Sequence, residues 1–253
     1  MKAQCGISCV MAMLAAGAMA VPFSRHLHRN TALVIIDVQN DFIEGSLNNS
    51  RAPAILPQLY KLLDEHEWPL IIASQDWHPI GHVSFASSHE GAKPGDKSLQ
   101  PFITEPTRDF QNQSLSKNHC VPGTWGAEIE PGVQTRLHTL EGYFTSVNYI
   151  KKAQNHTVDS YSAFADNQHY RFTTLNDELR AHKIDNIVLG GLVTNACVRG
   201  TSMDGIKLGY NVTLLSDATE STTQAVKDYA LAELDAFGVY IMTTAEWEAQ
   251  NKV

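Results

Sequence analysis

Cysteine is scarce in this sequence, and clusters of basic residues are absent. Four of the 253 residues are cysteine, and two of these, Cys5 and Cys9, lie within the first 20 positions. The other two, Cys120 and Cys197, are too few for a disulfide framework in a domain of this size. With no run of Lys or Arg and a formal net charge of -8, the chain lacks the electrostatic footprint of a protein that binds nucleic acid or an anionic membrane. We therefore expect a small-molecule partner, with no nucleic-acid or membrane partner.

The first 20 residues have the features of a leader. They carry one early lysine, an apolar stretch from Ile7 onward and the small-residue ending Ala18-Met19-Ala20, which is typical of a secretory signal peptide. The stretch is too short and too rich in Ala and Gly to predict a membrane span. A disordered tail behind a misassigned start codon is the alternative. The first interpretation predicts a periplasmic or secreted protein, and the second predicts a cytoplasmic one.

The rest of the chain predicts a single doubly wound α/β domain over residues 31–248, with a central, mainly parallel sheet flanked by helices. Nearly continuous apolar runs are typical of strands buried on both faces of a parallel sheet. They occupy residues 31–38, 69–74, 143–150, 186–192, 211–218 and 238–242. Helical spacing of apolar residues separates several of them, at residues 53–67, 175–182 and 225–237.

Two further patterns limit the interpretation of this domain. No G-x-G-x-x-G motif follows the first apolar run, where "IDVQNDF" stands instead, so dinucleotide binding is not indicated. Residues 79–141 are rich in Pro, Gly, Ser and His and lack strong periodicity, which predicts either a functional loop or a disordered insertion.

Polar side chains follow the predicted strands where ligands bind in open α/β sheets, beyond the carboxyl ends. Asp76 and His78 are two positions apart in "SQDWHPIGHVSF", so an extended backbone would project both side chains to one side. A carboxylate and imidazoles suit Zn, Mn or Fe, with His82 or His119 as a third ligand. A solvated, histidine-rich loop is the alternative, because D-x-H alone is a weak signal.

A candidate nucleophile follows the predicted strand "NIVLGGL". Cys197 would lie at the start of a helix, where the exposed N–H groups would lower the thiol pKa and could form an oxyanion hole. A small buried hydrophobic residue is the alternative role for a lone cysteine. Asp37, at the end of the most apolar strand, is a candidate base, and Lys151 or Lys152 is a candidate charge stabiliser. For these residues the alternative is an ordinary solvated strand end.

These stretches resemble the nicotinamidase/pyrazinamidase branch of the isochorismatase-like cysteine hydrolase superfamily. The resemblance is carried by "ALVIIDVQNDF", "SQDWHPIGHVSFAS", "HCVPGTWGAE", "KKAQNHTVDSYSAFADN" and "GLVTNACVRGTSMDGIKLGYNV". Together they reach from residue 32 to about residue 245, so the resemblance covers the whole predicted domain.

The resemblance implies a set of site residues. It implies that Cys197 is the nucleophile, Asp37 the general base and Lys152 the third catalytic residue, with Lys151 as the less favoured neighbour. It implies one divalent metal, with zinc expected and iron or manganese as alternatives. The implied metal ligands are Asp76, His78 and His119, with His82 as a candidate fourth. Phe42 and Tyr161 would wall the pocket, and the backbone N–H groups of Val193 and Cys197 would form the oxyanion hole after a cis peptide bond.

The implied activity is hydrolysis of nicotinamide to nicotinate and ammonia in NAD salvage, and of pyrazinamide by analogy. Hydrolysis of an N-carbamoyl or ureido substrate, and a binding protein without turnover, are the alternatives. Self-association is left open.

The sequence departs from the family pattern at several positions. Ser116 and Lys117 replace a Trp-Pro pair, so an aromatic pocket wall is either missing or supplied by another residue such as Trp125. Ala153 stands where glycine is usual, and Asn195 stands where aspartate is usual. These departures bear on the substrate range.

Overall fold

The computed structural model describes residues 26–27, 30–103, 111–141 and 145–251. The leader predicted over residues 1–20 therefore lies outside the described residues. Ten strands are present in the described part. They are β1 (His26–Leu27), β2 (Thr31–Ile36), β3 (His66–Glu67), β4 (Leu70–Asp76), β5 (Lys97–Gln100), β6 (Gln111–Ser114), β7 (Ser146–Lys152), β8 (Asn186–Leu192), β9 (Asn211–Glu220) and β10 (Tyr240–Met242).

The helices in the same residues lie between these strands. They are α1 (Asn40–Ile43), α2 (Leu56–Glu65), α3 (Pro131–Glu141), α4 (Leu175–Ala181), α5 (Arg199–Lys207), α6 (Gln224–Phe237) and α7 (Thr244–Gln250). Short 3-10 turns occupy Ala52–Ile55, Ala86–Ser88 and Trp125–Ala127, and a π-helical turn occupies Thr194–Val198. No helix among the described residues is long and apolar enough to cross a membrane.

The central sheet has six strands in the order β10-β9-β8-β2-β4-β7, and every neighbouring pair is parallel. The predicted fold class is therefore confirmed, and each of the six apolar runs supplies one of these strands. The run predicted from residue 143 begins with two residues that lie outside the described part. The core covers both faces of the sheet, because successive residues of β2 point to opposite faces. Leu33 and Ile35 join one apolar cluster, while Val34 and Ile36 join the other.

The structure corrects the prediction at the end of one helix and decides between the two alternatives given for residues 79–141. The helix predicted to reach residue 67 ends at Glu65, because His66 and Glu67 pair with β1 as strand β3. The described parts of residues 79–141 are not a disordered insertion, because they contain the β5–β6 hairpin and α3. The sequence analysis did not predict helix α3, although its buried residues Val133, Leu137 and Leu140 have helical spacing.

Gly191 lies where β8 passes very close to the backbone of β2, near the carboxyl ends of both strands. Its φ is +127°, and a Cβ atom there would lie 2.0 Å from the carbonyl oxygen of Ile36. Gly209 also has a positive φ, +90°, but a Cβ atom there would meet nothing within 4 Å. We expect Gly209→Ala to cost only the backbone strain, about 1 kcal/mol, and Gly191→Ala to cost at least about 3 kcal/mol, because strain and overlap add. Urea unfolding measures both losses, and equal losses would contradict the close approach.

Candidate active site

Four adjacent strands deliver the predicted catalytic residues to one edge of the sheet. Asp37 follows β2, Asp76 ends β4, Lys152 ends β7, and Cys197 follows β8 after a short connection. The parallel register sets Asp76 directly opposite Lys152. Since the carboxyl ends of parallel strands meet at the same edge, residues far apart in the sequence come into contact there.

The ammonium group of Lys152 lies at the centre of this group. Its Nζ is 2.5 Å from Asp76 Oδ1 and 3.0 Å from Asp37 Oδ2, and it donates to the Ser160 carbonyl oxygen at 2.8 Å. The contact with Asp37 is an ion pair without hydrogen-bond alignment. Nζ also lies 3.4 Å from Cys197 Sγ. Lys151, the less favoured candidate, points away and its ammonium stacks on the Trp77 ring, 3.7 Å from the centroid.

Burial and two hydrogen bonds with Ser74 set the proton affinity of Asp37. Ser74 Oγ donates to Asp37 Oδ1 at 2.6 Å, and the Asp37 backbone N–H donates to Ser74 Oγ at 3.2 Å. Complete burial raises the pKa of Asp37, and the Lys152 ammonium and the Ser74 hydroxyl only partly offset that rise. A carboxylate with a raised pKa accepts a proton more readily than an exposed one.

The predicted effect on Cys197 was wrong in sign. Burial raises the thiol pKa well above its ordinary value, and the Lys152 ammonium offsets only part of this. Cys197 lies inside the π-helical turn Thr194–Val198, while α5 begins at Arg199. Desolvation of the thiolate therefore outweighs the favourable charges, and the thiol needs a neighbouring base to react. Asp37 is in position, because one of its carboxylate oxygens lies within 4.8 Å of the Cys197 sulfur.

The predicted metal ligands come together next to Lys152. Potential ligand atoms of Asp76, His78 and His119 lie within 4.8 Å of one another, and all three side chains are buried. His119 Nδ1 contacts the Lys117 carbonyl oxygen at 2.9 Å, so this nitrogen carries the hydrogen and Nε2 keeps its lone pair, 3.9 Å from Asp76 Oδ2. His78 Nδ1 is buried without a hydrogen-bond partner. A buried nitrogen of this kind next to a carboxylate and a second imidazole fits a divalent metal.

His82, the candidate fourth ligand, is arranged differently. The Ser84 backbone N–H donates to His82 Nδ1 at 3.2 Å, which assigns the ring hydrogen to Nε2. Burial lowers the pKa of His82 to about 4, so the ring is neutral. His82 is absent from the group formed by Asp76, His78 and His119, although it lies within 4.8 Å of His78 and Asp159 in a second group.

A cavity of about 180 Å³ joins the thiol to the metal ligands. Cys197, Asp76, His78 and His119 all line it. The other lining residues are Phe42, Leu47, Ser84, Ser114, Leu115, Ser116, Asp159, Tyr161, Val193 and Ala196. The peptide bond between Leu192 and Val193 is cis. The cavity is therefore small, and its walls combine apolar and polar groups.

Trp125 does not supply the aromatic pocket wall that the sequence analysis considered for it. Trp125 is half exposed and is not among the cavity-lining residues. Ser116 lines the cavity at the position where relatives carry tryptophan. The aromatic side chains among the lining residues, apart from the histidines, are those of Phe42 and Tyr161.

The sequence analysis assigned no role to two residues of the site, Gln39 and Asp159. The Gln39 side chain donates to the Asp76 carbonyl oxygen at 2.9 Å and accepts from the Asp76 backbone N–H at 2.8 Å, so it clamps that strand end. Asp159 accepts from His78 Nε2 at 3.3 Å. Both lie in the matching stretches, but only the folded chain shows what they contact.

Comparison with known proteins agrees with this geometry. An isochorismatase domain model matches residues 31–246. The chain is 34% identical over 222 residues to the nicotinamidase of Escherichia coli, covering 86% of this chain and 96% of the relative. The solved yeast nicotinamidase bound to the inhibitor nicotinaldehyde superposes with a TM-score of 0.78 at 28% identity, covering 84% of this chain and 99% of the yeast chain.

A zinc-bound relative extends the comparison. The pyrazinamidase of Pyrococcus horikoshii in complex with zinc superposes with a TM-score of 0.60 at 25% identity, covering 85% of this chain and 99% of the other. The resemblance stated from the sequence is thus confirmed.

The two adjacent lysines allow a matched test of the buried ammonium. Lys152→Met removes the cation that favours the Cys197 thiolate, so the thiol pKa should rise and alkylation by iodoacetamide at pH 8 should slow at least about tenfold, equivalent to one pKa unit. Lys151→Met should leave the rate unchanged. Mass spectrometry of the Cys197 peptide measures both rates.

Lys152→Arg keeps the charge and controls for its loss. Thermal unfolding of each variant shows whether it is folded. Equal rates in folded Lys152→Met and Lys151→Met proteins would show that the ammonium does not act on the thiol.

Proposed function

We propose that this chain, which belongs to the isochorismatase family, is a nicotinamidase that hydrolyses nicotinamide to nicotinate and ammonia. The observation that carries the proposal is the meeting of Cys197, Lys152 and Asp37 with a metal-binding group in one small cavity. The nicotinamidases named above, and a yeast relative at 29% identity, support the substrate.

The proposed reaction begins with transfer of the thiol proton to Asp37. The Cys197 sulfur attacks the carboxamide carbon, and a tetrahedral intermediate forms with the charge on the former carbonyl oxygen. Asp37 then returns the proton to the nitrogen, the C–N bond breaks, and ammonia leaves a thioester. Water, deprotonated by Asp37, attacks the thioester carbon, and the sulfur leaves and recovers its proton.

Lys152 has two tasks in this scheme. Its ammonium favours the Cys197 thiolate while the proton is on Asp37, and it prevents the carboxylates of Asp37 and Asp76 from repelling each other. Because Lys152 Nζ also donates to the Ser160 carbonyl oxygen, its position does not depend on the carboxylates alone.

The oxyanion is assigned to the backbone N–H groups of Val193 and Cys197. Both residues line the cavity next to the thiol. Preorganised backbone donors stabilise a developing negative charge without reorganisation.

Asp76, His78 and His119 would hold one divalent metal, with zinc proposed and iron or manganese as alternatives. A metal bound there would act as a Lewis acid that holds the pyridine nitrogen and so orients the ring. Phe42 and Tyr161 would wall the ring on the apolar side of the cavity. We extend the proposal to pyrazinamide by analogy, because its ring is similar in size and structural neighbours include pyrazinamidases. Nicotinate as product would give the enzyme a role in NAD salvage.

Ammonia release from nicotinamide by the purified full-length chain tests the function. We expect Cys197→Ala to abolish release, because no other thiol lies in the cavity lining. Cys120→Ala should retain activity, since Cys120 is a buried thiol outside that lining. Treatment with a chelator should reduce release, and added Zn²⁺ should restore it. An enzyme inert to nicotinamide but active on an N-carbamoyl substrate would support the alternative cysteine hydrolase.

The pH profile tests Asp37 as the base. Its pKa is raised above 3.8, so kcat/KM should fall as pH drops through that raised value and protonates the carboxylate. Ser74→Ala removes a hydrogen bond that favours the charged form, so the acid limb should move to higher pH by about one unit. Ser202→Ala, which removes a buried serine bonded to the Val198 carbonyl oxygen, is the control. An unmoved acid limb in Ser74→Ala would remove Asp37 from the role of base.

A further inference from the structure

His78 has two buried carboxylates near its ring, those of Asp76 and Asp159. Asp76 belongs with it to the proposed metal-binding group, while Asp159 Oδ1 lies 3.3 Å from His78 Nε2. An ionised carboxylate can only accept, so Nε2 must carry a hydrogen. In a neutral ring the lone pair then lies on Nδ1, which is the buried nitrogen without a hydrogen-bond partner.

Asp159 is itself held firmly. It is 5% exposed, and its Oδ1 also accepts the Ser160 backbone N–H at 2.8 Å. Its Oδ2 accepts from Gln113 Nε2 at 2.9 Å, and the same amide donates to the Ser114 carbonyl oxygen at 2.9 Å. Gln113 belongs to β6, so a residue of the β5–β6 hairpin holds the carboxylate in place.

The hydrogen bond to Asp159 distinguishes between two ways in which His78 could bind a metal. Its side chain belongs to one group with Asp76 and His119, and to another with His82 and Asp159. In the second group, His78 Nε2 already donates its hydrogen to Asp159, and His82 carries its ring hydrogen on Nε2 because its Nδ1 accepts from Ser84. For the first group, His78 has Nδ1 left, which is buried without a hydrogen-bond partner.

We propose that Asp159 is a positioning residue of the metal centre, which fixes His78 in the Nε2–H tautomer and leaves Nδ1 as its ligand atom. Gln113 holds Asp159 for this task. The proposal rests on the metal assigned under the proposed function, and it adds a residue that acts through His78. A carboxylate that accepts from a ligating imidazole orients the ring and makes the nitrogen at the metal more basic.

Zinc affinity of the purified full-length enzyme gives the first test. Competition with a chromophoric chelator measures the dissociation constant of Zn²⁺ without any substrate. We expect Asp159→Ala to weaken binding about 10- to 100-fold. Asp159→Asn, which keeps an acceptor oxygen but no charge, should weaken it less, and Gln113→Ala less again.

Asp204→Asn is the matched control, because Asp204 is a buried carboxylate bonded to Lys207 and His169, away from the metal-binding group. Its zinc affinity should equal that of the wild type. A dissociation constant within twofold of wild type in folded Asp159→Ala would overturn the proposal.

The tautomer of His78 gives a readout that a purely structural role would not change. In metal-free enzyme labelled with ¹⁵N-histidine, the His78 nitrogen shifts should report Nε2–H, and Asp159→Asn should lose that preference. A wild-type Nδ1–H tautomer would overturn the proposal even if the alanine variant fails to fold.

Nicotinamide hydrolysis by the wild type is measured separately. An inert wild type with Asp159-dependent zinc binding would refute the proposed substrate and leave the positioning role standing.

Discussion

The ammonium group of Lys152 is buried among two carboxylates and a thiol, and the rest of the site depends on it. A buried charge is costly unless it is paired and hydrogen-bonded, and removing one partner leaves the others uncompensated. Lys152 satisfies this condition through Asp37, Asp76 and the Ser160 carbonyl oxygen. The Lys152 ammonium also lowers the pKa of Asp37 and of Cys197, against the effect of burial. The contacts that compensate the buried charge therefore also tune the base and the nucleophile.

Asp76 connects this ammonium to the metal-binding group. Its Oδ1 contacts Lys152, while its Oδ2 faces His119. Burial raises the pKa of Asp76, but the charges of Lys152, His78 and His119 reverse this, and the pKa is lowered overall. Asp76 therefore stays ionised and can serve both neighbours, with Gln39 holding its backbone in place. A small change in this strand end would disturb both halves of the site.

Burial explains where simple rules about single residues failed. A cysteine near a helix start predicts a lowered thiol pKa, but Cys197 lies in a water-excluded pocket where desolvation dominates. His82 stays a candidate fourth ligand: the Ser84 backbone N–H donates to its Nδ1, and its Nε2 is buried without a hydrogen-bond partner. For Cys197 the local pattern was present, and the deciding contribution came from surrounding atoms that the pattern does not include.

The amino-acid sequence was enough to predict the parallel sheet and the candidate residues Asp37, Asp76, Cys197 and one of Lys151 and Lys152. Nearly continuous apolar runs are typical of strands buried on both faces of a parallel sheet, and the carboxyl ends of such strands share one edge. Motif resemblance then favoured His119 over His82 as the third ligand and Lys152 over Lys151. The folded chain was needed to show that Lys152 is buried between carboxylates while Lys151 stacks on Trp77, that Asp159 bonds to His78, and that Trp125 lies outside the cavity. These outcomes depend on which side of a strand or loop meets a distant segment, and distances between residues remote in sequence are set only when the chain packs.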